Sequence, residues 1–131
     1  MLDHFQRFLY TENLDPTSDT ILIGISGGVD SVVLAHLFIN SGFKIALAHV
    51  NYGQRGVESD QDEELVHGYA STWNVPAYVI TYPNDPDNKG NFQEKARNFR
   101  YQWFSSVAQQ NKFSYIATAH HADDQIETFM L

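Results

Sequence analysis

Short apolar runs along the chain are separated by longer stretches in which apolar residues recur at helical spacing. The runs are Ile21–Ile25, Ile45–Val50, Ala77–Thr81 and Tyr115–Ala119. Their length and their β-branched and aromatic content are typical of strands, and strands that alternate with helices build parallel sheets. We therefore predict an α/β fold, a doubly wound and mostly parallel sheet with helices on both faces. Ligands of such sheets bind at the carboxyl ends of the strands.

Three connecting helices are predicted from their starts, stops and apolar stripes. The first ends before Gly42, a residue typical of helix stops. Its stripe consists of Val32, Val33, Leu34, Leu37 and Phe38. The second begins at the capping residue Ser59. Its first turn is acidic, which the helix dipole favours and which is typical of a solvated helix start. Its acids are Asp60, Asp62, Glu63 and Glu64. The third begins at Asn91, with Glu94 completing a capping box. Its predicted core face consists of Phe92, Ala96, Phe99, Trp103 and Val107.

The last residues, Asp123–Leu131, are predicted to begin a further helix, because Ile126, Phe129 and Met130 stand at core spacing. No capping glycine or last-turn cation closes this pattern. A length of 131 residues with 43% hydrophobic residues fits a single core. We therefore expect residues 1–131 to form one domain, and that domain to be the front part of a longer protein.

Composition narrows the chemistry that this segment can perform. The formal net charge is -8, which is unfavourable for non-specific RNA binding, because such binding neutralises phosphates with Lys and Arg. An RNA partner would need a local basic patch, metal-bridged contacts or chain outside this segment. The absence of Cys excludes a disulfide, a zinc knuckle or a catalytic thiol here and fits a cytoplasmic setting. No apolar run approaches the ~20 residues that span a bilayer, so no membrane partner is expected.

The segment Ser26-Gly27-Gly28-Val29-Asp30-Ser31 directly follows the first strand and opens a helix. Two glycines in such a turn expose backbone N–H groups at the positive end of the helix dipole, where phosphate binds. The hydroxyls of Ser26 and Ser31 add donors, and Asp30 is compatible with a phosphate when Mg²⁺ lies between the two. The alternative is a tight turn in which Ser26 only caps the helix.

This segment resembles the SGGxDS signature of the PP-loop ATPases, and it lacks the glycine spacing and the lysine of a Walker A loop. The resemblance implies that ATP and Mg²⁺ bind here, and that ATP is split between its α and β phosphates so that AMP is transferred to an oxygen. The residues that it implies in ATP binding are Ser26, Gly27, Gly28, Val29, Asp30 and Ser31.

A second motif, His49-Val50-Asn51-Tyr52-Gly53-Gln54-Arg55-Gly56, resembles the HxNHxLRG stretch of the tRNA(Ile)-lysidine synthetases. Tyr52 and Gln54 replace the usual residues. The motif lies at the carboxyl end of the second strand, where His49 and Asn51 are candidates to contact the nucleotide. His49 is also compatible with a hydrogen-bonded strand end, and Arg55 with a solvated loop residue.

A third motif, Glu94–Tyr101, is similar to the A-R-x-x-R-Y part of a helix of the same family. Arg97 and Arg100 stand three residues apart and therefore project from one flank of the helix. Guanidinium groups bind phosphate oxygens bidentately without selecting a base, so this pair suits a polyphosphate or an RNA backbone. The alternative is that both arginines form surface ion pairs.

A fourth motif, His120–Thr128, resembles the GHHxDDQxET segment of the lysidine synthetases and their tRNA-thiolating relatives, with Ala119 where glycine is common. On a helix start, Asp124 and Glu127 would face one point at the carboxyl edge of the sheet. Two such acids suit a metal ion or a substrate ammonium group. The alternative is that the aspartates are helix caps.

The lysidine synthetase resemblance implies an ATP-dependent carbon–nitrogen ligase. The wobble cytidine of tRNA(Ile) would attack the α phosphate through its C2 oxygen, and free L-lysine would then displace AMP. The catalytic residues implied are Asp30, Arg97, Arg100, His120, Asp124 and Glu127, with Mg²⁺ held by Asp30 and Asp124. The tRNA-binding domains are expected outside residues 1–131, and a homodimer is left open. The alternatives are a tRNA-thiolating adenylating enzyme, which would normally use cysteines, and a non-catalytic ATP-binding module.

Overall fold

In the computed structural model, which describes residues 2–26, 28–53, 57–83, 92–120 and 125–130, five strands form one sheet and four helices cover it. The strands are β1 (Thr20–Gly24), β2 (Lys44–Asn51), β3 (Ala77–Thr81), β4 (Tyr115–His120) and β5 (Gln125–Met130). The helices are α1 (Leu2–Thr11), α2 (Val29–Asn40), α3 (Val57–Trp73) and α4 (Phe92–Gln110). The strand order is β3-β2-β1-β4-β5, in which β1 to β4 are parallel and β5 is antiparallel to β4. The predicted α/β class is confirmed.

Alternate residues along the central strands enter two hydrophobic cores, one on each face of the sheet, because successive side chains of a strand point to opposite faces. Ile21 and Ile23 of β1 pack with α1, α2 and α3, whereas Leu22 packs with α4. Strand β2, between β1 and β3, is buried at every position after Lys44. Burial of this kind is expected for a parallel strand covered on both faces. The prediction of helices on both faces of the sheet is confirmed.

Helix α1 was not among the predicted elements. Its Phe5 is 1% exposed and packs edge-on against Phe38 of α2, with ring centroids 4.8 Å apart. Phe5, Phe8 and Leu9 stand at helical spacing, so the sequence did carry the signal. The helix covers one end of the core that α2 and α3 form with the sheet.

Of two predicted helix starts, one differs from the structure and the other agrees with it. Helix α3 begins at Val57, so the prediction that Ser59 caps it is wrong, and Ser59 is instead a buried residue of the first turn. Helix α4 begins at Phe92, directly after the predicted cap Asn91, which lies outside the described residues. On its core face, Ala96 and Val107 are buried as predicted.

The predicted helix over Asp123–Leu131 is wrong for residues 125–130, which form β5. In the register of β5 with β4, Gln125 pairs with His120 and Met130 pairs with Tyr115. Without this strand, the outer edge of β4 would leave a row of backbone hydrogen-bonding groups unpaired. Ile, Thr and Phe are favourable strand residues, so pairing with β4 overrides the helical spacing of this segment.

All four helices end in the same backbone motif. Beyond the end of each helix, within two positions, a single residue adopts a left-handed conformation. These residues are Asn13 (φ 55), Gly42 (φ 88), Asn74 (φ 56) and Lys112 (φ 60). The next residue donates its N–H to a carbonyl five residues earlier, as in Phe43 to Phe38 at 3.1 Å. This is the Schellman motif, in which the residue after the left-handed one is often apolar. Here these apolar residues, Leu14, Phe43, Val75 and Phe113, all pack against the cores.

Replacing Gly42 with alanine is expected to lower the free energy of unfolding by about 1 kcal/mol, because a Cβ is disfavoured at positive φ. The matched control is Gly68→Ala inside α3, where an added Cβ meets nothing within 4 Å. That change should instead stabilise the fold by up to about 1 kcal/mol, the helix preference of alanine over glycine. Urea unfolding of both variants measures the difference. Equal effects would show that the left-handed cap is not important to stability.

Candidate active site

A cavity of about 540 Å³ lies where β1, β2 and β4 end at their carboxyl side, next to α4. Its lining comprises Gly24, Ile25, Ser26, Ser31, His49, Val50, Asn51, Tyr52, Ser59, Asp62, Phe92, Arg100, Tyr101, Phe104, Thr118 and Ala119. The location agrees with the ligand position of open α/β sheets. The volume is within the roughly 300–1,000 Å³ of small-molecule sites.

Hydrogen bonds shape the turn between β1 and α2 at one end of this cavity. The buried Ser31 hydroxyl accepts from the Ser26 N–H at 3.2 Å and donates to the Gly28 carbonyl at 3.0 Å. Gly28 N–H in turn donates to Ser26 Oγ at 3.2 Å, and the two serine oxygens lie 3.4 Å apart. The two serines therefore hold each other and the backbone in one closed arrangement.

This turn presents the start of α2 toward the site. The N-cap of α2 is Gly28, which has no side chain to form a cap hydrogen bond, so Ser26 is not the N-cap residue of this helix. First-turn N–H groups have no partner within a helix and carry the positive end of its dipole. The corner therefore has the properties of an anion site.

Not every residue of the motif reaches the cavity. Ser26 and Ser31 line it, whereas Val29 is 74% exposed and Gly27 lies outside the described residues. Asp30 lies in the first turn of α2, partly buried and next to Ser31, but not among the lining residues. Of the predicted ATP-binding set from this motif, the structure thus brings the two serines to the cavity wall.

His49 lines the cavity from the end of β2 and is only 4% exposed. Its Nδ1 lies 2.8 Å from the carbonyl oxygen of Ile25, and because a carbonyl only accepts, Nδ1 carries the proton. In the neutral form of the ring, Nε2 is then an acceptor. Nε2 is buried and has no hydrogen-bond partner among the described residues. It is therefore suited to accept a hydrogen bond from a ligand in the cavity.

Asn51 also lines the cavity, but its side chain is engaged within the protein. Its Nδ2 donates to Asp60 Oδ1 and Glu63 Oε1, both at 3.3 Å, and its Oδ1 accepts from the Gly53 N–H at 2.9 Å. These bonds connect the end of β2 to the first turns of α3. The geometry thus makes Asn51 a support for the cavity wall.

Arg100 and Thr118 contribute two further buried polar atoms to the lining. Neither Arg100 Nε nor Thr118 Oγ1 has a hydrogen-bond partner within the described ranges. The first can only donate, and the second can donate or accept. Buried polar groups normally find partners, so these atoms, with His49 Nε2, leave hydrogen-bonding capacity unused in residues that line the cavity.

Tyr52 connects Arg100 to a group of aromatic rings. Burial raises the pKa of the Tyr52 hydroxyl above its usual value, and the Arg100 guanidinium, which donates a hydrogen bond to it, opposes that rise. The Tyr52 ring lies 5.7 Å from the Tyr82 ring and 6.4 Å from the Phe92 ring, centroid to centroid. The rings come from the ends of β2 and β3 and the start of α4, so the guanidinium is supported by a packed aromatic wall.

The two arginines that the sequence predicted to act as one pair differ in burial and in the cavities that they line. Arg100 is partly buried and lines the main cavity, whereas Arg97 is exposed and lines only an adjoining cavity of about 280 Å³. Both guanidinium groups lie near the Tyr101 ring, with Cζ 5.4 Å from the centroid for Arg97 and 5.2 Å for Arg100. Tyr101 therefore lies near both guanidinium groups at the smaller cavity, and of the two arginines only Arg100 also lines the main cavity.

The last motif is only partly described. Asp124 and the side chain of His120 lie outside the described part of the chain. Glu127 lies in β5, where its backbone pairs with Thr118. The prediction that Asp124 and Glu127 face one point from a helix start is therefore wrong. The catalytic roles predicted for these three residues stay predictions.

A magnesium site can be judged from its donor set. Within the described ranges, no group of three or more His, Cys, Asp or Glu side chains could hold a metal ion. Mg²⁺ commonly uses one or two carboxylates together with substrate phosphates and water. Asp30, next to the phosphate corner, fits that donor set, and Asp124 lies outside the described residues.

Several lining residues were not identified from the sequence, among them Tyr101, Phe104 and Thr118. Phe104 stands between Trp103 and Val107 in a helix whose stripe was assigned to other residues. Thr118 is a polar residue near the carboxyl end of a predicted strand, and that position was the available signal. Tyr101 is the last residue of the third motif, and its place beside Arg100 in that motif was the available signal.

The PP-loop domain family matches this chain over residues 1–131. Two similar proteins are named tRNA(Ile)-lysidine synthase. The one from Streptococcus equi subsp. zooepidemicus is 42% identical over 117 residues, and the one from Porphyromonas gingivalis is 36% identical over 114 residues. Each match covers 85% of this chain and 26% or 25% of the relative. The chain therefore spans about a quarter of the length of the curated relatives it matches.

Solved structures with a similar fold include the NH3-dependent NAD synthetase from Campylobacter jejuni in complex with the nitrate ion. Its TM-score is 0.56 at 16% identity, over 87% of this chain and 51% of that one. The NMN synthetase from Francisella tularensis gives a TM-score of 0.53 at 16% identity, over 89% and 52%. At this identity the likeness shows the fold alone. Separately, none of the helices in the described ranges is long and apolar enough to cross a bilayer.

Proposed function

Since the chain belongs to the PP-loop domain family, we propose that it is the ATP-binding part of a cytoplasmic tRNA(Ile)-lysidine synthetase. The reaction joins free lysine to the wobble cytidine of tRNA(Ile) through an adenylated cytidine. The family membership fits ATP as the nucleotide. The names of relatives at 36–42% identity support the tRNA substrate and the lysidine product.

The observation that carries the proposal is the corner between β1 and α2. Ser26 and Ser31 fix the backbone at the start of α2, and both line a cavity large enough for a nucleotide. Phosphate oxygens bind to the first-turn N–H groups there, because the first N–H groups of a helix have no acceptor within the helix. The α phosphate is thereby placed at the carboxyl edge of the sheet.

His49 and Asn51 have different tasks in this proposal. His49 Nε2 accepts a hydrogen bond from the adenine amino group or a ribose hydroxyl, since its Nδ1 proton is engaged by Ile25. Asn51 contacts the nucleotide less directly, because its amide is bonded to Asp60 and Glu63. It keeps α3 against the end of β2.

Arg100 is the residue proposed to stabilise the reacting phosphates. The C2 oxygen of cytidine forms a bond to the α phosphorus while the bond to the β-phosphate oxygen breaks, and pyrophosphate leaves with added negative charge. A guanidinium in a partly desolvated cavity stabilises that charge more strongly than it would in water. Mg²⁺ held by Asp30 and Asp124 would supply further neutralisation of the phosphates.

The second step replaces oxygen by nitrogen at C2 of the base. The lysine ε-amine bonds to C2, the bond from C2 to the bridging oxygen breaks, and AMP leaves with that oxygen. The incoming ammonium must first lose a proton to become a nucleophile. Asp124 and Glu127 are proposed to attract it, and a carboxylate or His120 to take the proton.

The full-length protein should form pyrophosphate from ATP only when tRNA(Ile) is present and should release AMP only when lysine is added. Thin-layer analysis of α-labelled and γ-labelled ATP measures both products. A tRNA(Ile) transcript with uridine at the wobble position is the matched control and should give neither product. Release of inorganic phosphate, or AMP formation that depends on a sulfur donor instead of lysine, would contradict the proposal.

A further inference from the structure

The adjoining cavity of about 280 Å³ shares a wall with the main cavity. Tyr52, Phe92, Arg100 and Tyr101 line both spaces. Gln93, Ala96 and Arg97 line only the smaller one. The two spaces therefore adjoin along one aromatic wall, and a ligand bound in one lies next to a ligand in the other.

The chemistry of the smaller cavity combines ring surfaces with two arginines, of which Arg97 is exposed and Arg100 is partly buried. Tyr52, Phe92 and Tyr101 supply aromatic rings, and the Arg97 guanidinium lies 5.4 Å from the Tyr101 centroid. Gln93 adds an exposed amide that can donate and accept. Aromatic rings with a neighbouring cation are the usual receptors for one unpaired base and its phosphate.

The volume of the smaller cavity and the net charge of the chain limit what can bind there. The volume is slightly below the roughly 300 Å³ at which small-molecule sites begin, so a second ATP does not fit well. The formal net charge of the chain is -8, which makes general attraction of a polyanion unfavourable. A polynucleotide is therefore held by local contacts, and α4 supplies such contacts through Arg97 and the rings around it.

We propose that this smaller cavity binds one unpaired nucleotide of a single-stranded RNA segment, with the base against the aromatic wall and a phosphate on Arg97. The inference rests on the proposed function and extends it. The nucleotide held here is a direct neighbour of the cytidine that enters the main cavity. Arg97 then acts on RNA, whereas Arg100 acts on the phosphates of ATP.

The test measures binding of a short fluorescent single-stranded RNA with one central cytidine to the full-length protein, by anisotropy over a range of salt concentrations. Arg97→Gln should weaken binding about tenfold at low salt and reduce the slope of log affinity against log salt by about 0.7, the value for one phosphate contact in a single strand. Its affinity for ATP should stay within about twofold, because Arg97 does not line the main cavity. An RNA with an abasic site beside the cytidine should bind the unchanged protein about tenfold more weakly, through loss of one stacked base.

The matched control is Lys95→Gln, which removes the same charge from the same helix at a position that lines neither cavity. It should leave the salt slope unchanged. Equal slopes for the Arg97 variant and the unchanged protein, or equal binding of the abasic RNA, would overturn the inference. If cytidine is adenylated while these slopes are equal, only the inference fails. If the slopes differ but no pyrophosphate forms, only the proposed function fails.

Discussion

Arg100→Gln is expected to lower kcat for pyrophosphate formation on the order of 10²–10³-fold, the usual cost of removing one preorganised donor for developing charge. Arg100 is partly buried in the main cavity, and its Nε has no partner in the described part of the chain. The guanidinium donates a hydrogen bond to the Tyr52 hydroxyl. Steady-state kinetics of the full-length protein with tRNA measure the change, and KM for ATP should change far less.

Two variants serve as controls for the Arg100 result. Tyr52→Phe keeps the guanidinium and the ring but removes the hydrogen bond between them, so its loss of kcat should be smaller, about tenfold for one lost positioning contact. Arg97→Gln removes the same charge three residues away and should reduce the affinity for RNA. If Arg97→Gln lowers kcat at saturating RNA as much as Arg100→Gln does, the two arginines act together on the phosphates after all.

Phe104→Ala is expected to lower the free energy of unfolding by about 3–5 kcal/mol, the range for truncating a buried phenylalanine. Phe104 is 2% exposed and packs with Leu22, Ala48 and Ile116 between α4 and the sheet. Its ring also approaches Gly24 so closely that a Cβ there would lie 2.7 Å from Phe104 Cε2. The loss therefore opens a void in the core and in the cavity wall at once.

Urea unfolding followed by circular dichroism measures this loss, with Tyr10→Ala as the control, because Tyr10 is 88% exposed and such changes usually stay within about 0.5 kcal/mol. Gly24→Ala tests the same contact from the strand. In the double variant Gly24→Ala with Phe104→Leu, the two effects should be less than additive. Full additivity would show that the ring and the glycine do not constrain each other.

The strands could be predicted from the sequence because each has a simple local signal. β3 coincides with the predicted run, and β1 differs by one residue at either end. A parallel strand covered on both faces is apolar throughout, so it stands out as a continuous apolar run in the sequence. The position of the Ser26–Ser31 segment between a strand and a helix followed from the same signals.

The errors arose where distant residues decide the structure. β5 forms because β4 offers an edge, a condition that the helical spacing of Ile126, Phe129 and Met130 does not reveal. The engagement of Asn51 depends on Asp60 and Glu63, which approach it only after α3 turns back along the sheet. A sequence pattern gives spacing along one element, and these contacts join different elements.

The division between Arg97 and Arg100 shows the same limit on a smaller scale. Residues three apart on a helix are neighbours, yet a cavity edge can pass between them. Arg100 is turned partly into the protein, whereas Arg97 is not. Both arginines line the smaller cavity, and only Arg100 also lines the main cavity.

The pairing of β1 with β4 determines when the nucleotide site is formed during synthesis. Thr20 and Ser114 are joined by hydrogen bonds although 94 residues separate them, and the wall that Thr118 and Ala119 supply belongs to β4. A nascent chain that has passed the ribosome exit only as far as α3 carries the serine corner without its opposite wall. ATP can therefore be retained only after β4 has emerged from the ribosome, and bound nucleotide would report that β4 has joined the sheet.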